Sequence, residues 1–513
     1  MNGAESLIHT LIRAGIDTCF ANPGTSEMHF VAALDRIPGL RAVLGLFEGV
    51  VSGAADGYAR LRRKPAAALF HCGPGLANAI ANLHNARRAR TPLLAIIGDQ
   101  ATYHRPLDAP LTADTEGLAR TVSVFTATAR TPAEVGPLAA RAIAASLTPP
   151  GGIASLILPA DTAWDEGGII ADPAPLPQAL PPAPTTIADI ARLMRRESGV
   201  MLLLGGAVLF DERALARAHD IAAATGARLS AEQQNARVSR GRGRPPIPRI
   251  PYPLAQALAH FEGVRHLVLV GAREPVSFFA YPGKPNRLAP PSAMLHVLSR
   301  PEQDGAAALD ALAEALAAPR APLPEAEPYA PASGPLTPES AAATLFALLP
   351  EAAVVIDEAG SFGRGFFALS PRAAPHEWLQ LTGGAIGEGL PMALGAALAA
   401  PGQRVVALQA DGSAMYTLQA LWTMARERLD ITILLFANRR YAILQHELAQ
   451  VNATPGPTAE GLMRLDSPEL DWLALARGMG VEAERAASNE ALARLLAASF
   501  ARPGPFLIEL EVP

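Results

Sequence analysis

Val405-Val406-Ala407-Leu408-Gln409-Ala410-Asp411-Gly412-Ser413 reads as a buried strand that stops at a carboxylate and two small residues. A helical stretch follows from about Leu418 to Arg428, and a second apolar run, Ile431 to Phe436, ends in Ala437-Asn438-Arg439-Arg440-Tyr441. Strand, helix and strand in that order make a parallel pair with a right-handed crossover. Ligands of open parallel sheets collect at the carboxyl ends of the strands. Asp411 and Asn438, 27 residues apart, are therefore expected to converge on one hard cation. Carboxylate, amide and carbonyl oxygens suit Mg²⁺ or Ca²⁺, and Mg²⁺ commonly completes its shell with phosphates. An ordinary strand-to-helix turn with an N-capping Asp is the competing reading of the same residues.

The alternation extends through the chain. Leu7, Ile8, Leu11 and Ile12 form a helical stripe ahead of a strand at Asp17 to Ala21, and further strands are expected at Ala67 to His71, Leu93 to Ile97, Val200 to Leu204, Arg265 to Val270 and Ala353 to Ile356. Pro173 to Pro184 holds six prolines in twelve residues, and Pro319 to Pro338 mixes Pro with Ala and Glu. Such segments build neither helix nor central strand, so they read as linkers. The expected fold is α/β: three doubly wound parallel-sheet domains at 1–170, 185–318 and 338–513, the outer two alike in architecture.

Composition narrows the function classes. Half of the 513 residues are hydrophobic and 18% are charged, which supplies large buried cores. A net charge of −5 gives no sign of nucleic-acid binding. The richest basic stretch, Arg237 to Arg249, is interleaved with Gly and Pro and reads as a solvated surface loop. Cys19 and Cys72, both in strand-like apolar segments, read as buried free thiols of a reducing compartment. No secretory signal is visible at Met1-Asn2-Gly3-Ala4-Glu5-Ser6, and runs such as Val200 to Phe210 fall short of the ~18 residues a membrane span needs. The expectation is a cytoplasmic protein without membrane or nucleic-acid partners.

Three further stretches carry chemistry. Leu44-Gly45-Leu46-Phe47-Glu48-Gly49-Val50-Val51 places one carboxylate in apolar company, where desolvation favours proton sharing; a solvated charge at a helix start is the alternative. Leu381-Thr382-Gly383-Gly384-Ala385-Ile386-Gly387-Glu388-Gly389-Leu390-Pro391 is rich in residues that let backbone approach a flat ring. Phe20-Ala21-Asn22-Pro23-Gly24-Thr25-Ser26-Glu27 and His71-Cys72-Gly73-Pro74-Gly75-Leu76-Ala77-Asn78 each follow an apolar strand.

Together these stretches resemble the thiamine-diphosphate enzymes, and most closely the acetolactate synthase large-subunit-like group, with benzoylformate decarboxylase as a relative. The resemblance spans nearly the whole chain. It implies that Asp411, Asn438 and the backbone carbonyl of Arg440 hold Mg²⁺, which clamps the cofactor's diphosphate, with Gly412, Ser413, Tyr441 and Ser361 lining the phosphates. Gly384 and Ile386 would receive the rings, Ile386 as the wedge that bends the cofactor. Glu48 would be the catalytic carboxylate that faces the aminopyrimidine. The chain departs from the usual motif at Ala410, Ala437 and Arg439; Arg439 either neutralises phosphate or faces water, and the role of Glu388 is open. Thr25 matches a substrate-contacting serine of the decarboxylase and His71 an active-site histidine, with a structural histidine as the alternative. The decarboxylase's second histidine has no counterpart in Pro275-Val276-Ser277-Phe278-Phe279-Ala280-Tyr281, which implies a more apolar pocket. Leu444, Gln445 and His446 either line that pocket or form plain helix surface.

The resemblance further implies a homodimer or homotetramer, because the pyrimidine domain of one chain meets the diphosphate domain of another. The Gly205-Gly206 turn is too weak a signal for FAD, so no flavin is expected. The implied reaction removes CO₂ from a 2-oxo acid and ligates the remainder to a second carbonyl. Simple decarboxylation to an aldehyde is the alternative, and a catalytically silent cofactor-binding relative the third reading.

Overall fold

The computed structural model describes residues Met1–Val512. Six parallel strands form the first sheet: β1 (Thr18–Ala21), β2 (Arg41–Leu44), β3 (Ala66–Phe70), β4 (Leu93–Asp99), β5 (Ser123–Thr128) and β6 (Ile153–Pro159), in the order β2-β1-β3-β4-β6-β5. The second sheet has four parallel strands, β7 (Val200–Leu204), β8 (Arg228–Ala231), β10 (His266–Val270) and β11 (Met294–Ser299), in the order β11-β10-β7-β8. The third contains β12 (Ala353–Glu358), β13 (His376–Gln380), β14 (Val405–Ala410), β15 (Ile431–Ala437), β16 (Glu482–Ala486) and β17 (Phe506–Glu511). Its order, β16-β17-β15-β14-β12-β13, repeats the connectivity of the first sheet, read from the opposite edge. The expected α/β class of parallel sheets flanked by helices is what the chain adopts.

Central strands such as β3, β4, β14 and β15 are almost wholly buried, as continuous apolar runs require when helices cover both faces. The stripe Leu7, Ile8 and Leu11 packs inward from the helix Gly3–Arg13.

Two expectations fail. Arg237 to Arg249 is not a solvated loop: β9 (Val238–Arg240) adds an antiparallel edge strand to β13 of the third sheet. Gly and Pro suggest irregular backbone, but every arginine drawn inward meets an acceptor. Arg237 pairs with Glu377 at 2.8 Å, and buried Arg240 donates to Ser370 and to the carbonyls of Ile247 and Phe367. Cys72 is not in a strand but opens the helix Cys72–Ala89, with φ of 52°. Both cysteines are free and buried, as expected.

The helix Glu48–Arg62 of the first sheet lies against the helix Gly389–Ala399 of the third at backbone contact. A Cβ on Gly57 would sit 2.3 Å from the Met392 carbonyl oxygen, and one on Gly395 would sit 1.9 Å from that of Ala54. Small residues at this crossing let Arg60 and Glu388 meet in the interior.

Candidate active site

Because the outer sheets share one connectivity, their strand ends offer matching positions. The candidate residues occupy them: Thr25 follows β1, Glu48 follows β2 and His71 follows β3, while Ser361, Ile386, Asp411 and Asn438 follow β12, β13, β14 and β15. In both sheets the order reverses beside β1 and β12, which is where open α/β sheets bind ligands.

In the third sheet Asp411 is 3% exposed at the start of the turn Asp411–Ala414. Its Oδ1 accepts the Gly412 N–H at 2.8 Å and its Oδ2 the Arg439 N–H at 2.7 Å, so it ties the end of β14 to the end of β15. Burial pushes its pKa up, against the opposing pull of these N–H donors and of the Arg439 charge. Asn438 Oδ1 accepts the Arg440 N–H. A Cβ on Gly412 would stand 2.6 Å from the Tyr441 ring, which explains glycine there. Ser413 is buried between the Ala410 carbonyl and the Gln409 amide.

The Gly-rich loop hangs from a carboxylate that the strand pattern alone did not single out. Buried Glu358 accepts the N–H groups of Gly387 and Gly389, each at 2.7 Å, and the side-chain amide of Gln409 at 2.9 Å. That grip fixes the backbone on either side of Ile386 and Glu388. Gly384, at φ of 80°, has no room for a Cβ against the Phe278 ring.

Ser361, Gly384, Ile386, Asp411, Gly412, Ser413, Asn438, Arg440 and Tyr441 all line one cavity of about 550 Å³. Tyr252, Phe278 and Phe279 from the middle of the chain give it an aromatic wall, and Leu444 adds to it. Gln445 and His446 do not line it. Arg439 neither reaches the cavity nor stands free in water: it pairs with Glu469 and Glu511 at 2.7 and 2.9 Å.

Thr25, Glu48 and His71 gather elsewhere, around Gly24 and Gly75. Glu48 is half-buried at its helix start, with Oε2 accepting the Asn78 amide at 3.0 Å. A Cβ on Gly75 would lie 2.9 Å from Glu48 Oε1 and 3.4 Å from His71 Cβ. Thr25 is exposed in a single 3₁₀ turn. His71 Nδ1 stands 3.0 Å from buried Glu27, which also accepts the Gly24 N–H at 2.6 Å. Glu27 escaped the sequence reading, although its spacing from Gly24 matches a capping box. Cys72 closes this group, its thiol pushed up to about 11 by burial.

Residues 1–119 match the family model of the thiamine pyrophosphate enzyme N-terminal TPP binding domain, and residues 358–510 that of the C-terminal TPP binding domain. The chain is 49% identical over its whole length to a Mycobacterium tuberculosis protein named "Putative acetolactate synthase large subunit IlvX", covering 99% of it. It belongs to the thiamine pyrophosphate enzymes. The benzoylformate decarboxylase of Pseudomonas aeruginosa is 31% identical over 98% of this chain and 97% of its own. In fold, the thiamine diphosphate-dependent 4-hydroxybenzoylformate decarboxylase of Rhodococcus jostii RHA1 superposes with a TM-score of 0.85 at 24% identity, over 100% and 99% of the two chains. The chain is thus a thiamine-diphosphate-dependent enzyme of acetolactate synthase or decarboxylase type, and among the described residues no helix is long and apolar enough to cross a membrane.

Proposed function

We propose that this enzyme removes CO₂ from a 2-oxo acid and joins the remaining fragment to a second carbonyl compound. The observation that carries the reading is the convergence of nine candidate cofactor and metal residues on one cavity, with no histidine among its described lining residues. The wall residue Tyr252 holds its proton, pushed up to about 12 by burial and by Glu447. On this side of the site a fragment meets aromatic side chains rather than a histidine, which favours a second carbonyl as its partner. Simple decarboxylation is favoured instead by His71 with its Glu27 partner, a pair able to relay a proton.

The residues fit the cofactor. Asp411 is a buried carboxylate whose hydrogen bonds come from backbone N–H donors, the nearby Arg439 side chain being paired with Glu469 and Glu511, and a side chain at position 412 would clash with Tyr441. Asp411, Asn438 and the Arg440 carbonyl would hold Mg²⁺; Ser361, Gly412, Ser413 and Tyr441 would line the diphosphate; Gly384 and Ile386 would take the rings. When bound, the cofactor supplies an electron sink for the bond that breaks as CO₂ leaves. Glu48 would hold a proton at the far ring nitrogen, and Thr25 and His71 would face the substrate. None of these three lines the cavity of its own chain, and Leu46 beside Glu48, like Tyr416 and Leu462 at the cavity, is an exposed apolar side chain. A homodimer or homotetramer in which one chain's Glu48 face covers another's cavity accounts for both facts. The domain bounds would be 1–170, 185–318 and 338–513, with Val238–Arg240 lent by the second to the third sheet. Cytoplasmic placement and the absence of a flavin belong to the same reading.

Incubation with Mg²⁺, thiamine diphosphate and pyruvate should release CO₂ and give a carbon–carbon ligated product. Free acetaldehyde would transfer the assignment to the decarboxylase, and binding without turnover of any 2-oxo acid to the silent relative.

Metal dependence gives an independent check. The Asp411 carboxyl is harder to ionise in the fold than in the unfolded chain, so above that raised pKa its charge costs stability, and the cost vanishes as pH falls through it. In the Asp411→Asn chain without ligands, relief of the buried charge offsets the loss of one of the two N–H acceptors, so it should melt within a few degrees of wild type at pH 8. At a hundredfold excess over the dissociation constant, cofactor with Mg²⁺ should stabilise wild type by about 2.7 kcal/mol and Asp411→Asn scarcely at all. Equal melting shifts in the two proteins would remove Asp411 from the metal site.

A further inference from the structure

The cavity contains a cation that the functional reading leaves unused. Arg364 lies in the short 3₁₀ segment Phe362–Gly365, half-buried, and its side chain lines the same cavity as Asp411 and Ile386. Among the described residues it makes no ion pair and donates to no protein acceptor; its guanidinium rests over the Tyr252 ring at 5.1 Å. The neighbouring charges are already committed. Arg249 pairs with Asp357 at 3.2 Å, and the Glu447 oxygens accept the hydroxyls of Tyr252 and Tyr281 at 3.3 and 2.6 Å. Exposed Arg440 is presented at the end of β15, next to the proposed Mg²⁺ ligands.

Two features locate the anion that Arg364 serves. Arg364 rests over the neutral Tyr252 ring, with Glu447 and Arg249 as the charges acting on it, whereas the charged side chain acting on Asp411 is Arg439. Arg364 therefore belongs to the aromatic wall rather than to the diphosphate end. The carboxylate that departs as CO₂ is also a poor partner for it: an ion pair there is strongest before the bond breaks and fades as charge leaves, which stabilises the ground state more than the transition state. A second, remote acidic group keeps its charge throughout, and binding it costs the reaction nothing.

Building on the 2-oxo acid reading, we propose that Arg364 binds a distal carboxylate and that the preferred donor substrate is a 2-oxo diacid whose chain runs along the Tyr252–Phe278–Phe279 wall. Burial presses the Arg364 pKa down, so an incoming carboxylate would also offset the cost of holding that charge between aromatic rings.

The test compares 2-oxoglutarate with 2-oxopentanoate, which differ by a terminal carboxylate against a methyl group, and the unreactive 2-hydroxyglutarate with 2-hydroxypentanoate. Holoenzyme should favour 2-oxoglutarate in kcat/KM by roughly tenfold to a hundredfold, as a charge-assisted hydrogen bond allows. Arg364→Gln should abolish that preference through KM, and Arg364→Lys should restore part of it. Calorimetry should show 2-hydroxyglutarate binding to wild type and not to Arg364→Gln. The inference is overturned if wild type does not discriminate, or if the preference survives in Arg364→Gln. It is also overturned if Arg364→Gln instead weakens thiamine diphosphate binding tenfold, which would give the cation to the diphosphate. Turnover of 2-oxopentanoate without discrimination sinks this inference alone. Arg364-dependent binding of 2-hydroxyglutarate without turnover of any 2-oxo acid keeps the anion site and sinks the enzymatic reading.

Discussion

Glu48→Gln should lower turnover of 2-oxo acids by on the order of 10²–10⁴-fold while leaving cofactor affinity within a few-fold. The geometry explains why affinity and rate should separate. The groups proposed to hold the metal and the diphosphate lie at the ends of β12, β14 and β15, and Glu48 belongs to a different sheet. The Glu48 carboxylate is anchored on one side only: Oε2 takes the Asn78 amide, while Oε1 faces Gly75, where no side chain intervenes. One oxygen is thus left for a ring nitrogen. Gln keeps the size and the Asn78 contact and removes the ability to hold a proton in exchange with a ring. Glu48→Asp withdraws the carboxylate by one methylene and should fall between wild type and Gln. Single-turnover CO₂ release, with melting shifts produced by Mg²⁺ and thiamine diphosphate, reads both effects. A Glu48→Gln enzyme that keeps a tenth of wild-type turnover would dismiss Glu48 as the proton-holding group.

Local pattern made much of the architecture readable. Val405 to Ala410 and Ile431 to Ala437 declare themselves as strands because both faces of a central parallel strand are buried, and their polar ends stand out against that run. Asp411 and Asn438 were legible for the same reason. What escaped depends on partners distant in sequence. Glu358 looks like any strand-end carboxylate until the N–H groups of Gly387 and Gly389 fold onto it. Arg237 and Arg240 look like solvated charge until Glu377 and the Phe367 carbonyl are set beside them. Glu27 ends the turn that follows β1, yet nothing local tells that its oxygens turn toward His71. Arg364, between two glycines, carried no signal at all; only the cavity reveals it.

The largest stability effect is expected at Arg60, which is buried and ties the helix Glu48–Arg62 to the segments that follow β8 and β13. Its guanidinium grips Asp56 through two bonds, at 2.9 and 2.5 Å, and donates to the Gln380 carbonyl at 2.7 Å and the Ala236 carbonyl at 3.3 Å. It also reaches Thr382 at 3.1 Å and Glu388 at 3.2 Å. Two buried carboxylates thus share one cation. Burial raises the Glu388 pKa well above the usual range against the attraction of Arg60, and the Asp56 charge beside it pushes the same way. That direction favours a protonated Glu388 and leaves Arg60 and Asp56 as the charge-balanced pair. Arg60→Met strands Asp56 in a dry interior and should cost about 3–5 kcal/mol, seen as lowered thermal and urea midpoints. Glu388→Gln replaces one neutral group by another and should cost no more than about 1 kcal/mol. An ionised Glu388 would put two anions on Arg60, so that Glu388→Gln would relieve the excess charge and raise the midpoint while Arg60→Met would strand both. Adding Asp56→Leu to Arg60→Met should recover much of the lost stability, since the penalty lies in the unpaired charge rather than in the missing bonds. Midpoints that fall equally for Arg60→Met and Glu388→Gln would refute this distribution of charge.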